Sequence, residues 1–378
     1  MRFGSVVACV VERVLVPVEG MHRAIAKPWI TATGVITDVD PAYDLMLRSV
    51  YGSIRVGTSV LGAGLNAHVK TEWSSADTAV AIINGLWGDD LGRHQERLEI
   101  PMTLLDRHRA VLTLGTTDTE PAETAEPARE HVAILVHGFA QNETGWHRAH
   151  GQRGLLDALG EQPDVTPLTV RYNSGRSIDD NGAELAGLLE QLHRGWAVPV
   201  RSIGLVGYSM GGLVIAAAYR AGRAAGHAWV DDLHDVVSIG APHRGAPLEK
   251  LVHGASIGLG IAPQTRPLAD FLNARSQGVK DLRHGAILHP EYDALEMAAM
   301  LEEGPAAVVD WHFVAGVITA DPTHPFGAIV GDLIVRPASS TQPRHVEPAN
   351  VHVVGGVHHL DLLHEAPVVD TIVEWLTT

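Results

Sequence analysis

Gly207-Tyr208-Ser209-Met210-Gly211 lies between an apolar, β-rich run, 203–206, and an Ala-rich stretch with helical spacing, 213–219. Few arrangements accept that order. A strand that bends into a helix within a few residues brings the two backbones close together, and glycine on both sides of the bend removes the Cβ atoms that would clash. Ser209 at the apex is then held in a strained turn with its hydroxyl exposed, the setting a nucleophile needs. The competing reading is a Gly-rich turn that merely joins a strand to a helix. The strand–turn–helix frame favours the nucleophile, and a further glycine, Gly212, relaxes the crowding.

The same rhythm extends over the second half of the chain. Short apolar runs at 132–136, 166–172, 202–206, 236–239, 311–318 and 351–354 predict strands. Helical spacing at 178–192, 210–222 and 367–376 predicts helices between and after them, with Pro367 suited to a first helical turn. Strands alternating with helices predict an α/β domain, a mainly parallel sheet with helices on both faces. Residues 247–310 interrupt the rhythm with mostly helical patterns and Gly-rich starts, and predict a lid over the sheet's C-terminal edge. Alternation at Leu98, Ile100, Met102 and Leu104, a polar turn at 106–109 and an apolar return at 110–114 predict a β-hairpin. Residues 116–130, rich in Thr, Glu, Pro and Ala, read as a linker or long surface loop.

Ahead of the hairpin, residues 1–95 read as helical: Val7, Val10, Val11, Val14, Leu15 and Val18 fall at helical spacing, and further patches cover 42–56 and 76–91. The expected partition is a helical N-terminal extension over 1–95 and a catalytic domain over 96–378. The extension reads either as a packed helical layer or, through Gly-rich 57–69, as a surface that touches lipid. The formal net charge of −16 repels phosphate backbones and argues against nucleic acid as a partner. Cys9 is the one cysteine, so an intrachain disulfide is excluded and a reducing, cytoplasmic setting is compatible. The apolar run 4–11 is broken at once by Glu12 and Arg13, which predicts neither a leader peptide nor a spanning helix and leaves peripheral membrane contact to the N-terminal helices. The 22 histidines are scattered rather than paired at metal-ligand spacing, and no metal or organic cofactor is expected.

A nucleophilic serine needs donors for the oxyanion, a base and an acid. His137-Gly138-Phe139 ends the strand 132–136, where a backbone N–H joins the N–H of the residue after the serine. The candidates are Phe139 and Met210. His137 precedes the serine, against the Ser–acid–His chain order, and reads as a residue that shapes the loop. The base belongs after the last strand, where His358 and His359 stand side by side. The acid belongs between lid and base. Asp332 in Gly331-Asp332-Leu333-Ile334-Val335 is the candidate, with Asp310 before the strand and Asp321 in a Pro-flanked turn as rivals.

The ordered motifs "LVHGF" (135–139), "RYNSGR" (171–176), "LVGYSMGG" (205–212), "SIGAPHRGAP" (238–247), "GDLIV" (331–335) and "HLDLLHEAPVV" (359–369) resemble those of lipase-like serine esterases of the α/β-hydrolase superfamily, near the GPI-inositol-deacylase-like and triacylglycerol-lipase-like groups. The resemblance covers about residues 131–378 and implies the α/β-hydrolase fold. It also implies a triad of Ser209, Asp332 and His359, with Phe139 and Met210 as oxyanion donors. His243 in the 241–245 segment reads as structural, and 275–285 looks like a lid feature of such esterases. The activity implied is cleavage of small-molecule or lipid carboxylic esters through an acyl-serine. An acyltransferase of the same fold and a non-catalytic binding protein that keeps it are the alternatives.

Overall fold

The computed structural model describes residues 99–114, 127–147, 153–244, 276–282, 309–341 and 349–377, with 77, 80–82, 84, 85 and 88 ahead of them. Most of the expected extension (1–95), linker (116–130) and lid (247–310) lies outside the described residues.

One seven-stranded sheet forms the centre. Its strands are β1 (Thr103–Leu105), β2 (His131–Val136), β3 (Val165–Arg171), β4 (Ser202–Tyr208), β5 (Leu233–Ile239), β6 (Asp310–Val317) and β7 (Asn350–Gly355), in the spatial order β1-β3-β2-β4-β5-β6-β7. Every pairing is parallel except that of β1 with β3. β4 lies in the middle, with Val136 opposite Gly207 on one side and Ile239 opposite Tyr208 on the other.

Parallel strands buried on both faces should be apolar at nearly every position, and β2 and β4 are. Val132, Ile134 and Val136 join Leu185 and Leu189 of α2 (Ile178–Gly195) and Leu213 and Ala217 of α3 (Met210–Ala225) in one core. Ala133 and Leu135 point the other way and join Leu156 and Leu159 of α1 (Leu155–Gly160) with Val368 and Ile372 of α7 (Ala366–Thr377). The helices therefore cover both faces of the sheet. The described residues also include three short helices, α4 (Gln277–Leu282), α5 (Pro325–Val330) and α6 (Pro337–Thr341).

Local chemistry fixes the helix ends. The Ser177 hydroxyl accepts the Asp180 N–H at 3.0 Å, Asp179 and Asp180 occupy the first turn of α2, and His193 and Arg194 its last. That polarity matches the helix dipole. α3 stops at Gly226, whose φ of 65° closes the helix in the left-handed conformation.

The expected hairpin over 98–114 is shorter than its sequence pattern. Only 103–105 form a strand, bridged at Leu105 to Val111, and that strand pairs along β3 as the sheet's antiparallel edge. Pro101 has no N–H to give a ladder. The Asp106 carboxylate accepts the N–H groups of His108 and Ala110 at 2.9 and 2.8 Å, and this closes the turn. Helical backbone at Asp77, 80–82, Asn84, Gly85 and Gly88 agrees with the helical patch read over 76–91.

Candidate active site

The chain has the α/β-hydrolase fold, and in such a sheet the loops after the carboxyl ends of the strands converge on one edge. The chain reverses its direction across the sheet between β2 and β4, since β3 lies on one side of β2 and β4 on the other. The crevice outside those two strand ends is where ligands bind in open α/β sheets.

Ser209 stands there, at the turn between β4 and α3, with φ 52° and ψ −119°. Its N–H continues the sheet ladder to the Ile239 carbonyl at 2.8 Å. The bend requires its glycines. A Cβ on Gly207 would lie 2.5 Å from the Gly212 nitrogen, and one on Gly211 would lie 2.2 Å from the Val136 carbonyl oxygen.

The Ser209 Oγ is 3.0 Å from His359 Nε2, and His359 Nδ1 is 2.6 Å from Asp332 Oδ2. A carboxylate only accepts, so Nδ1 carries the ring proton and the Nε2 lone pair faces the serine hydroxyl. Asp332 is buried and held by its own loop. Its Oδ1 accepts the N–H groups of Ile334 and Val335 at 3.0 and 2.8 Å, and its carbonyl accepts the His359 N–H at 3.1 Å. The loop turns at Gly331, φ 69°, where a Cβ would lie 2.0 Å from the Val335 carbonyl oxygen. The buried Tyr208 hydroxyl donates to the His359 carbonyl at 2.7 Å. Burial first, and then the nearby charges of Asp332 and Asp361, raise its pKa and keep it a donor.

The loop after β2 lies against Ser209: a Cβ on Gly138 would be 3.1 Å from Ser209 Cβ. The Gly138 N–H donates to Gln141 Oε1 at 3.2 Å, and the Ala140 N–H to Ser174 Oγ at 2.9 Å. Between them, the Phe139 N–H donates to no acceptor among the described residues. Met210 opens α3, so its N–H is one of the helix's unpaired first-turn donors. His137 is buried, its Nδ1 is 2.9 Å from the Gly138 carbonyl, and its ring stacks 4.3 Å from that of Tyr172. Burial lowers its pKa to about 4, against a smaller upward push from Gly138, so it is a neutral part of the loop.

The rivals fall elsewhere. Asp310 begins β6 at the opposite end of the sheet. Asp321 is exposed and takes up the Thr323 N–H and hydroxyl at 2.8 and 2.7 Å. His358 is exposed and precedes the 3₁₀ turn His359–His364 that carries His359. His243 bonds Ser238 Oγ at 2.8 Å and meets Phe313 edge-on. Among the described residues no group of three His, Cys, Asp or Glu is arranged to hold a metal. No helix among them is long and apolar enough to cross a membrane.

Sequence reasoning missed a charged group behind the β2 loop. Glu143 is fully buried. Arg109 Nε and Nη2 donate to its Oε1 at 3.0 and 2.8 Å, Arg171 Nε donates to its Oε2 at 3.0 Å, and Arg171 Nη2 also bonds Oε1. Arg109 also pairs with Asp77 at 2.7 Å. Burial alone would raise the Glu143 carboxyl, but the hydrogen bond and charge of Arg171, then Arg109, hold it at about 2. Arg171 was visible in "RYNSGR" and Glu143 stands six positions after His137, but no local pattern pairs residues that far apart in the chain.

No protein-family profile and no curated protein matches the sequence. Solved structures do. The mature lipase BlEst2 of Bacillus licheniformis is 18% identical with a TM-score of 0.46, over 68% of this chain and 96% of that one. A soluble variant of the monoglyceride lipase of Saccharomyces cerevisiae is 15% identical with a TM-score of 0.41, over 66% and 86%. YbtT, a type II thioesterase of yersiniabactin biosynthesis, is 16% identical with a TM-score of 0.39, over 67% and 95%.

Proposed function

We propose that the chain hydrolyses carboxylic esters through an acyl-serine intermediate. The observation that carries this is the continuous line of hydrogen bonds from Ser209 Oγ through His359 to the buried Asp332. In the first step Ser209 Oγ attacks the ester carbonyl carbon while its proton passes to His359 Nε2. The carbonyl electron pair moves onto the oxygen, which the N–H groups of Phe139 and Met210 receive. Asp332 holds the ring orientation and stabilises the imidazolium. Collapse of the tetrahedral intermediate breaks the bond to the alkoxy oxygen, which leaves with the Nε2 proton as the alcohol. Water repeats the sequence on the acyl-serine, giving its proton to His359 and releasing the acid and Ser209. The chemistry draws on no metal or organic cofactor.

The resemblance to lipase-like esterases favours an ester with an acyl chain. Exposed apolar side chains beside the acid and the base, Leu333 and Leu360, favour it too. The test is Ser209→Ala, assayed on short and long p-nitrophenyl esters. Turnover falls by at least about 10³-fold on this reading, and turnover equal to wild type rejects it. A chain-length series with and without an oil–water interface separates a lipase, which gains at the interface, from a plain esterase.

A further inference from the structure

Four non-glycine residues among those described have positive φ: Arg109 at 66°, Ala140 at 56°, Ser209 at 52° and Leu333 at 81°. Such backbone persists only where its surroundings over-determine it, and it gathers at functional sites. Three of the four adjoin the proposed chemistry: Ser209 is the nucleophile, Leu333 follows the acid, and Ala140 follows the donor Phe139. Arg109 belongs to the turn after β1 and takes no part in any proton transfer. Its contacts explain its place in the group, because they lead to the same loop as Ala140.

That loop is clamped at two points, by Gly85 from before the sheet and by Arg109 from the turn after β1. At Ala140, Gly85 of the preceding helical segment comes so close that a Cβ on it would lie 2.9 Å from both Ala140 Cα and Cβ. The Gly85 carbonyl accepts the buried Ser276 hydroxyl. The same segment is tied to the domain by Asn173 Nδ2 donating to the Gly88 carbonyl at 3.1 Å and by the Ile100 N–H donating to Asn84 Oδ1 at 3.1 Å. At Glu143, Arg109 bonds the carboxylate and also Asp77, the first described residue of that segment. The Phe139 N–H stands one residue before the first clamp, Ala140, which also donates its own N–H to Ser174 Oγ.

We infer that Asp77, Gly85 and Arg109 form a built-in brace for the turn 138–140, in which Gly85 and Glu143 are positioning residues that keep the Phe139 N–H aimed at the reacting oxygen. The inference rests on the hydrolase reading and deepens it. Neither residue touches substrate. A donor turned out of line loses its strength steeply, and this donor matters most when charge has moved onto the oxygen.

The experiment compares full-length wild type, Gly85→Ala, Glu143→Gln, Ser209→Ala and the control Ile82→Ala, an exposed position in the same helical segment. Active sites are counted by exhaustive fluorophosphonate labelling, so a partly unfolded sample does not pass for a slow one. Hydrolysis of p-nitrophenyl butyrate gives kcat and KM, and inhibition by butaneboronic acid, which becomes tetrahedral on the serine, reports the oxyanion donors. The brace predicts kcat per labelled site down by roughly 10- to 100-fold in Gly85→Ala and Glu143→Gln. KM should stay within about twofold, boronate affinity should fall in proportion to kcat/KM, and Ile82→Ala should match wild type. A merely structural role lowers the labelled fraction and leaves boronate affinity per site unchanged. That result, or wild-type kcat in Gly85→Ala with Ser209→Ala inactive, overturns the brace and leaves the hydrolase reading standing. Wild-type turnover in Ser209→Ala removes the hydrolase reading and the brace together. If Glu143→Gln does not fold, Gly85→Ala decides.

Discussion

Asp332 and His359 are held mainly by the loop of Asp332 and by each other, whereas the turn 138–140, beside local bonds at Gly138, takes several supports from distant parts of the chain. On the acid–base side, Ile334 and Val335 fix the carboxylate, the Asp332 carbonyl fixes the His359 backbone, and only Tyr208 arrives from another part of the sheet. On the oxyanion side, Gly85, Arg109, Arg171 and Ser174 all reach in from elsewhere, and two ionised arginines converge on one buried carboxylate. A site built in this way divides its vulnerability. Changes on the first side should alter proton transfer and leave the fold, while changes on the second should alter the fold and the donor geometry together.

Asp332→Asn tests that division most severely. The amide nitrogen or oxygen must face His359 Nδ1, while Oδ1 still has two backbone N–H groups to accept. The nitrogen therefore turns to the ring and drives its proton onto Nε2, where it blocks the serine. We expect kcat to fall by roughly 10³- to 10⁴-fold, with an unfolding midpoint displaced far less than in the Glu143 variant. Comparable losses of stability in both variants would erase the contrast.

Glu143→Gln removes the carboxylate that two guanidinium groups share, leaving Arg109 with Asp77 alone and Arg171 without this counter-charge. The expected cost is about 3–5 kcal/mol of unfolding free energy, read from urea denaturation at neutral pH. The pH dependence carries the same signature. The Glu143 pKa is depressed in the folded protein from 4.5 to about 2. Its contribution is therefore fully present above pH 4.5 and is lost as pH falls through about 2. Wild type should lose on the order of 3 kcal/mol across that window beyond what Glu143→Gln loses. Parallel stability curves for the two proteins would show that the carboxylate is not held by the arginines.

The smallest effect belongs to Tyr208→Phe. It removes the 2.7 Å hydrogen bond to the His359 carbonyl, the one support that the base takes from β4. About 1 kcal/mol of stability and a few-fold in kcat are expected, measured by thermal unfolding and by the same ester assay. A loss as large as that of Asp332→Asn would mean that the acid–base side also depends on distant contacts.

The legibility of these two sides differs for the same physical reason. Ser209 and Asp332 stand in local patterns with their own steric logic, whereas His359 was named only through the family resemblance. A bend between strand and helix admits only small residues, and Gly331 marks a turn whose Cβ would strike the Val335 carbonyl. The neighbouring histidines, His358 and His359, were not separable from local pattern alone. The ring that faces the serine was decided by the 3₁₀ turn beginning at His359 and by the Asp332 carbonyl that accepts its N–H. The hairpin shows the converse error: alternation predicted a longer ladder than Pro101 and the Asp106 turn allow.

The sequence by itself determined the six parallel strands, the helices over 178–192, 210–222 and 367–376 and the bend at Ser209, because these follow from periodicity and from the space beside a backbone. Only the tertiary structure decided that Arg109, Glu143 and Arg171 meet, that Gly85 lies against Ala140, and which histidine faces the serine. Those contacts join residues far apart in the chain, and charge pairing carries no period from which such a meeting can be read.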